Sequence, residues 1–228
     1  ETVKGDEPAK SEEEVTKTYS VYSNGTAIYY NPETNSKCNE SDAVSTTGTK
    51  TGCMKWYTFN DMEISSTVNM ILDHNTTATV VYNSSKVNTE AVEVATALTT
   101  DTSTWNSNLN ARLITADEIA KITGNTSFNG ATSTSDSWFY LDSNNQTKTT
   151  SQVKSNYAWL FDYTIECTSY GCNIEDSSTY GYWTSIPVFG SSSYVWFVNR
   201  DGSLNYRNVI NTLDGIRPVI TVSKSIVS

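Results

Sequence analysis

The chain has 228 residues, a formal net charge of −10 at neutral pH, 37% hydrophobic and 18% charged residues, 14 Tyr and 6 Trp. That aromatic content is too high for a disordered chain, and no apolar run approaches the roughly 18 residues a membrane-spanning helix needs. Nor is there a Lys/Arg cluster of the kind from which phosphate-backbone binding draws its affinity, so nucleic acid is set aside as a partner.

Residues 1–17 (ETVKGDEPAKSEEEVTK) carry a charge run and Pro8 with almost nothing apolar, and read as a mobile acidic leader ahead of a single domain over residues 18–228. They contain no basic and apolar secretion signal, which is expected to have been removed or to lie outside. Tyr19-Ser-Val-Tyr, the turn Asn24-Gly25 and Thr-Ala-Ile-Tyr-Tyr up to Pro32 predict a hairpin. Residues 54–59 and 66–73 are short aromatic or β-branched runs and predict two strands. Residues 89–98 (TEAVEVATAL) space Val92, Ala95 and Leu98 as the inner face of a helix. A second helix is signalled more sharply. Thr115 caps, Glu118 completes a capping box, Ile119 and Ile122 face inward and Gly124 stops it. Beyond lie the aromatic runs 138–141 and 157–163, then 180–185, 194–199, the turn Arg200-Asp201-Gly202 and a last strand over 216–222. Few helices among many short strands and long polar loops predict an α+β fold.

The four cysteines fall as two local pairs, Cys38 with Cys53 (C-x14-C) and Cys167 with Cys172 (C-x4-C), in surroundings rich in Ser, Thr, Asn and Tyr. Two short-range disulfides of an oxidising compartment are expected. A closed loop of about 15 residues is worth about 3 kcal/mol in the chain-entropy model. The first bridge would thus restrain the polar loop 39–52, which has little apolar content of its own. Structural zinc is disfavoured by the single His and the lack of any C-x-x-C. Six N-x-S/T sequons (Asn24, Asn39, Asn75, Asn83, Asn125, Asn145) would be glycosylation acceptors in a eukaryotic secretory pathway, and are otherwise expected by chance in so Asn- and Thr-rich a chain.

The order ARLITADE (residues 111–118), YWTS (182–185), VNRDG (198–202) and GIRPV (215–219) resembles bacterial C-type-lectin-like domains of the formylglycine-generating-enzyme type. The likeness is best over residues 105–224. It implies a C-type-lectin-like fold with about two helices, short antiparallel strands and long polar loops, on a secreted or surface-displayed protein. Beside it, Arg112 and Arg217 read as structural arginines that need a carboxylate or carbonyl partner. Trp138, Trp159 and Trp183 lie within apolar runs and read as core.

Catalysis is weighed and set aside. The related oxidase uses a cysteine pair and copper, but Cys167 and Cys172 precede the YWTS strand and lack a neighbouring cation to lower a thiol pKa. Next to His74, the only imidazole, Asp73 should point to the opposite face of a strand, which breaks a triad. No segment isolates a glycosidase carboxylate pair. Calcium is compatible with the fold class implied, although Asp142-Ser-Asn-Asn is not an EF-hand loop. No metal ligand and no cofactor is therefore assigned, and the protein reads as a non-enzyme.

The informative segment is 194–211 (YVWFVNRDGSLNYRNVIN). Val195, Phe197 and Leu204 supply inward anchors. Tyr194, Trp196, Asn199, Arg200, Asp201, Ser203, Asn205, Tyr206, Arg207, Asn208 and Asn211 are the expected outward, ligand-binding positions. Tyr and Trp give rigid contact area at low entropic cost while Asn and Ser adapt their hydrogen bonds, which is the composition of binding loops. The segment also resembles the variable region of proteins diversified by retroelements. The expected function is adhesion or receptor recognition, with a protein or glycan on another cell or particle as ligand. A formylglycine-generating-type enzyme and a structural surface or pilus module are the alternatives.

Overall fold

Ten strands and three helices form among the residues described by the computed structural model, 17–142, 156–161, 181–199 and 201–228. The strands are β1 (Ala27–Asn31), β2 (Ser36–Lys37), β3 (Met54–Phe59), β4 (Thr67–Leu72), β5 (Phe139–Tyr140), β6 (Gly181–Pro187), β7 (Tyr194–Val198), β8 (Ser203–Asn208), β9 (Asp214–Gly215) and β10 (Val219–Ser223). The helices are α1 (Val92–Asp101), α2 (Ala116–Ile122) and α3 (Lys224–Val227). The strands make two five-stranded sheets, ordered β10-β4-β3-β1-β2 and β5-β8-β7-β6-β9, and every pair is antiparallel except β6 with β9.

Period-two alternation builds the first sheet. Met54 and Trp56, Val68, Met70 and Leu72, and Ile220 and Val222 face one way, onto Trp105 and Val227. Phe59, Ile71 and Val219 face the other way, into a layer shared with the second sheet. There they meet Ile119 and Ile122 of α2 and the inward residues Tyr182, Trp196, Val198 and Leu204. The far face of the second sheet carries Trp183, Val195 and Phe197 and is covered by Tyr82, Leu113 and Val94 of α1. The central part of each sheet is thus covered on both faces, and the two sheets pack on one another.

This arrangement corrects the α+β expectation: the fold is β-rich, two curled sheets with three short helices. The helices are too short to form a layer of their own. They plug corners of a stack whose layers are sheets.

Local signals fare unevenly. The capping box at Thr115 forms on both sides, with Glu118 N–H donating to Thr115 Oγ1 at 3.0 Å and Thr115 N–H to Glu118 Oε2 at 2.9 Å. Helix α1 starts at Val92, three residues after the expected start at residue 89, and its buried face differs from the expected one. Val94 and Asp101 point inward while Val92 is 49% exposed. The hairpin expected over residues 19–32 does not form. The turn at Asn24-Gly25 exists, but β1 pairs with β2 and β3. Residues 19 and 22 instead donate their N–H groups to the Glu63 carbonyl (2.7 Å) and to Asp61 Oδ2 (2.8 Å). The Asp61 side chain is fully buried and also receives Lys224 Nζ at 2.8 Å, which ties this segment to α3.

Both arginines are structural. Arg112 makes a forked pair with Glu118 at 2.8 and 2.6 Å. Arg217, fully buried, donates to the carbonyls of Leu72, Leu160 and Trp159 at 2.5, 2.6 and 2.7 Å. Trp183 is core, and Trp159 is partly buried against Tyr57. Trp138 departs from expectation at 44% exposed, since it lies just outside the two-residue β5 at the sheet margin.

The Cys38–Cys53 disulfide is present, closing a sequence separation of 15 residues. Its loop is better held than its composition suggests. Gly48 N–H bonds the Asn75 carbonyl at 2.8 Å, Trp105 Nε1 donates to the Lys50 carbonyl at 2.7 Å, and Lys50 pairs with buried Asp101 at 2.5 Å. Cys167 and Cys172 lie outside the described residues, as does the charged segment up to Thr16. Among the described residues no helix is long and apolar enough to cross a membrane.

Candidate ligand-binding surface

Strands β7 and β8 form a hairpin closed at Gly202, whose φ of +80° suits a glycine at this turn. Val195, Trp196, Phe197 and Val198 are at most 1% exposed, because β7 is the central strand and both of its faces are covered. The alternation that put Trp196 outward therefore does not apply. Its ring is fully buried, donates from Nε1 to the Gly130 carbonyl at 3.3 Å and packs edge-on against Phe128.

Register then separates the remaining positions onto two faces. Tyr194 pairs with Asn208 and Trp196 with Tyr206, so these share one face; Val195 with Arg207 and Phe197 with Asn205 share the other. On the first face Tyr194 and Tyr206 are 39% and 44% exposed, with ring centroids 5.8 Å apart in an edge arrangement. Trp196 lies 5.7 Å from Tyr206 and props that ring from below. The result is an aromatic ledge on a rigid strand pair.

The other expected positions serve the hairpin itself. Asp201 Oδ1 accepts from the N–H and the hydroxyl of buried Ser203 at 3.0 and 2.5 Å, which fixes the turn. Asn199 N–H bonds the Ser203 carbonyl, and Asn205 Oδ1 accepts from the Tyr206 N–H at 2.8 Å. Arg207 is bound inward. Its guanidinium lies over Phe197, 4.2 Å from the ring centroid, and pairs with Asp214 at 3.0 Å. Arg200 lies outside the described residues. Asp214 is fully buried, and burial pushes its carboxyl up to about 7 despite the Arg207 attraction. Among the described residues its second oxygen, Oδ1, has no hydrogen-bond partner.

Asn208 and Asn211 each accept from the N–H two residues on, Ile210 at 3.2 Å and Leu213 at 2.8 Å. Two successive Asx turns thereby push Ile210 and Leu213 outward, to 43% and 48% exposure. Together with Thr212 these residues line an open groove of about 600 Å³ that begins where the ledge ends. Sequence reasoning did not single out Ile210 or Leu213. The repeated Asn two positions before each was the signal that they point outward.

Among the described residues the imidazole of His74 meets a carboxylate and a backbone carbonyl. Asp73 and His74 both lie beyond the end of β4, where strand alternation no longer holds. Contrary to expectation, their side chains meet, Nδ1 to Oδ1, at 2.5 Å. The other ring nitrogen faces the Thr49 carbonyl at 2.9 Å, an acceptor rather than a hydroxyl or thiol. The pair ties the disulfide loop to the first sheet. Among the described residues no group of three or more His, Cys, Asp or Glu is placed to hold a metal ion.

A family model described as a domain of unknown function, DUF6273, matches residues 102–224, more than half of the chain. The protein belongs to that family. The matched stretch carries α2, β5 to β10 and with them the ledge and the groove. No curated protein and no solved structure matches the chain.

Proposed function

We propose that this is a secreted or surface-displayed recognition domain that binds a macromolecular ligand through the Tyr194–Tyr206 ledge and the adjoining groove. The observation that carries the reading is two exposed tyrosine rings packed edge-on, one of them also against a buried tryptophan, next to exposed Ile210 and Leu213. Exposed aromatic area that is already ordered costs little entropy on binding, and clusters of this kind dominate recognition surfaces. The Cys38–Cys53 bridge supports an oxidising compartment.

The test separates binding from folding. Tyr194→Ala with Tyr206→Ala removes the ledge and leaves Trp196, Arg207 and the Asp214 pair in place. Wild type and double variant are applied to a glycan array and to immobilised surface-protein extracts, with thermal unfolding run in parallel. Signal lost about tenfold or more at an unchanged melting temperature is expected for hot-spot aromatics. Equal signal from the double variant would move the site elsewhere. Arg207 is left out of the test because removing it strands a buried carboxylate.

A further inference from the structure

Strand β8 is paired along its whole length on one side only. Asn199 N–H bonds the Ser203 carbonyl and Val209 N–H the Ser193 carbonyl, so the odd-numbered residues 203 to 209 direct their backbone groups toward β7. The even-numbered residues point away from it, as the bond from Leu141 N–H to the Gly202 carbonyl shows. On that outer side β5 pairs with Ser203 and Leu204 and then stops. Tyr206 and Asn208 are left on an open edge. Among the described residues nothing pairs with the Tyr206 carbonyl or the Asn208 N–H there. The Tyr206 N–H is capped only by the side chain of its neighbour Asn205.

A donor and an acceptor two residues apart on a strand edge are the complement of an extended backbone. The flanks fit the same occupant. Trp138, 44% exposed, stands where β5 ends, Tyr206 presents its ring beside the edge, and Asn208 also lines the groove of Ile210 and Leu213. Charge selects among strands. Two copies of a chain carrying −10 repel on approach, whereas an uncharged or basic segment does not.

We propose that the open edge of β8 receives an extended, uncharged or basic peptide segment of a partner protein, which adds a strand in line with β5. This rests on the recognition reading of the same surface and makes its ligand a protein. The backbone supplies affinity, and the Trp138, Tyr206 and Ile210/Leu213 surroundings supply side-chain selection.

Random linear peptides displayed on phage are selected on the full chain, and enriched sequences are titrated as fluorescent synthetic peptides. Asn208→Pro deletes the outward N–H and breaks no bond to β7, and proline is tolerated on edges. Asn208→Ala, which loses the side-chain bond to the Ile210 N–H but keeps its own backbone N–H, is the reference for this variant. Asn208→Pro is expected to bind about tenfold or more weaker than Asn208→Ala, and Asn205→Ala, which uncaps the Tyr206 N–H, is expected to bind tighter than wild type. No enriched peptide, or a folded Asn208→Pro that binds like Asn208→Ala, overturns the proposal. So does a wild-type dimer in sedimentation that Asn208→Pro dissociates, which would assign the edge to a second copy. If Asn208→Pro does not melt cooperatively, amide exchange in the wild type decides: protection of Asn208 on adding peptide supports the added strand, and unchanged exchange rejects it. Binding lost in the Tyr194/Tyr206 double variant but kept in Asn208→Pro would retain the ledge as a binding surface and reject the strand.

Discussion

Arg217 and Asp214 are fully buried charged groups three residues apart, and they are satisfied to different degrees. Arg217 spends its guanidinium on three carbonyls from two segments, while Asp214 has one cation and an orphaned oxygen. The consequence is a dependence of stability on pH with a definite sign. In the unfolded chain this carboxyl titrates at 3.8, and in the folded protein burial pushes it up to about 7. Between those values the folded state keeps a proton that the unfolded state has released, so stability falls as pH rises through the window and is level above it. Asp214→Asn abolishes that slope. Urea unfolding across the window should show the variant gaining on wild type with rising pH; a gap moving the other way would mean that Arg207 outweighs burial. Arg217 was legible as a structural arginine because a charge inside an apolar strand demands partners. The engagement of Arg207 was not, since its partner lies seven residues away on β9, a strand that β7 and β6 separate from β8 in the sheet.

At the level of elements, local chemistry decided what could be read. The capping box of α2 and the β-branched runs of β3 and β4 depend on nearby residues, and they form where the sequence places them. The segment at residues 19–22 and the buried face of α1 depend on what packs against them, and both were misread. The same distinction governs the disulfide loop. Its bridge acts mainly on the unfolded chain, whereas His74, Trp105 and Asp101 hold it in the folded state. Replacing Cys38 and Cys53 by Ala should therefore cost about 3 kcal/mol in a denaturant melt. The Gly48 amide should stay protected from exchange under native conditions. A loop that exchanges freely in that variant would show that the covalent link, not the polar anchors, orders it. The binding ledge was half legible: Tyr194 and Tyr206 stand out in composition, but Trp196 was misplaced because alternation fails for a strand covered on both faces.

For the whole molecule, two sheets separated by one apolar layer and capped by two more explain why helices are few and short. Composition could not show this, because aromatic strands buried on both faces and α+β strands draw on the same residues. One further contact crosses the assembly. Asp61, its side chain fully buried, holds the Tyr22 amide and Lys224, and Lys224 Nζ also donates to the carbonyls of Ser20 and Met62 at 2.8 and 3.0 Å. Removing one member of a buried pair strands the other, so Asp61→Ala should lower stability by about 3 to 5 kcal/mol in urea unfolding. A loss below 1 kcal/mol, on the order expected of an exposed pair, would show that the clasp is solvated. The clasp also has a mechanical meaning. Tension applied between residues 22 and 224 would load this side-chain junction together with β10, which ends at Ser223, and so the first sheet. The ledge belongs to the other sheet and lies off that path.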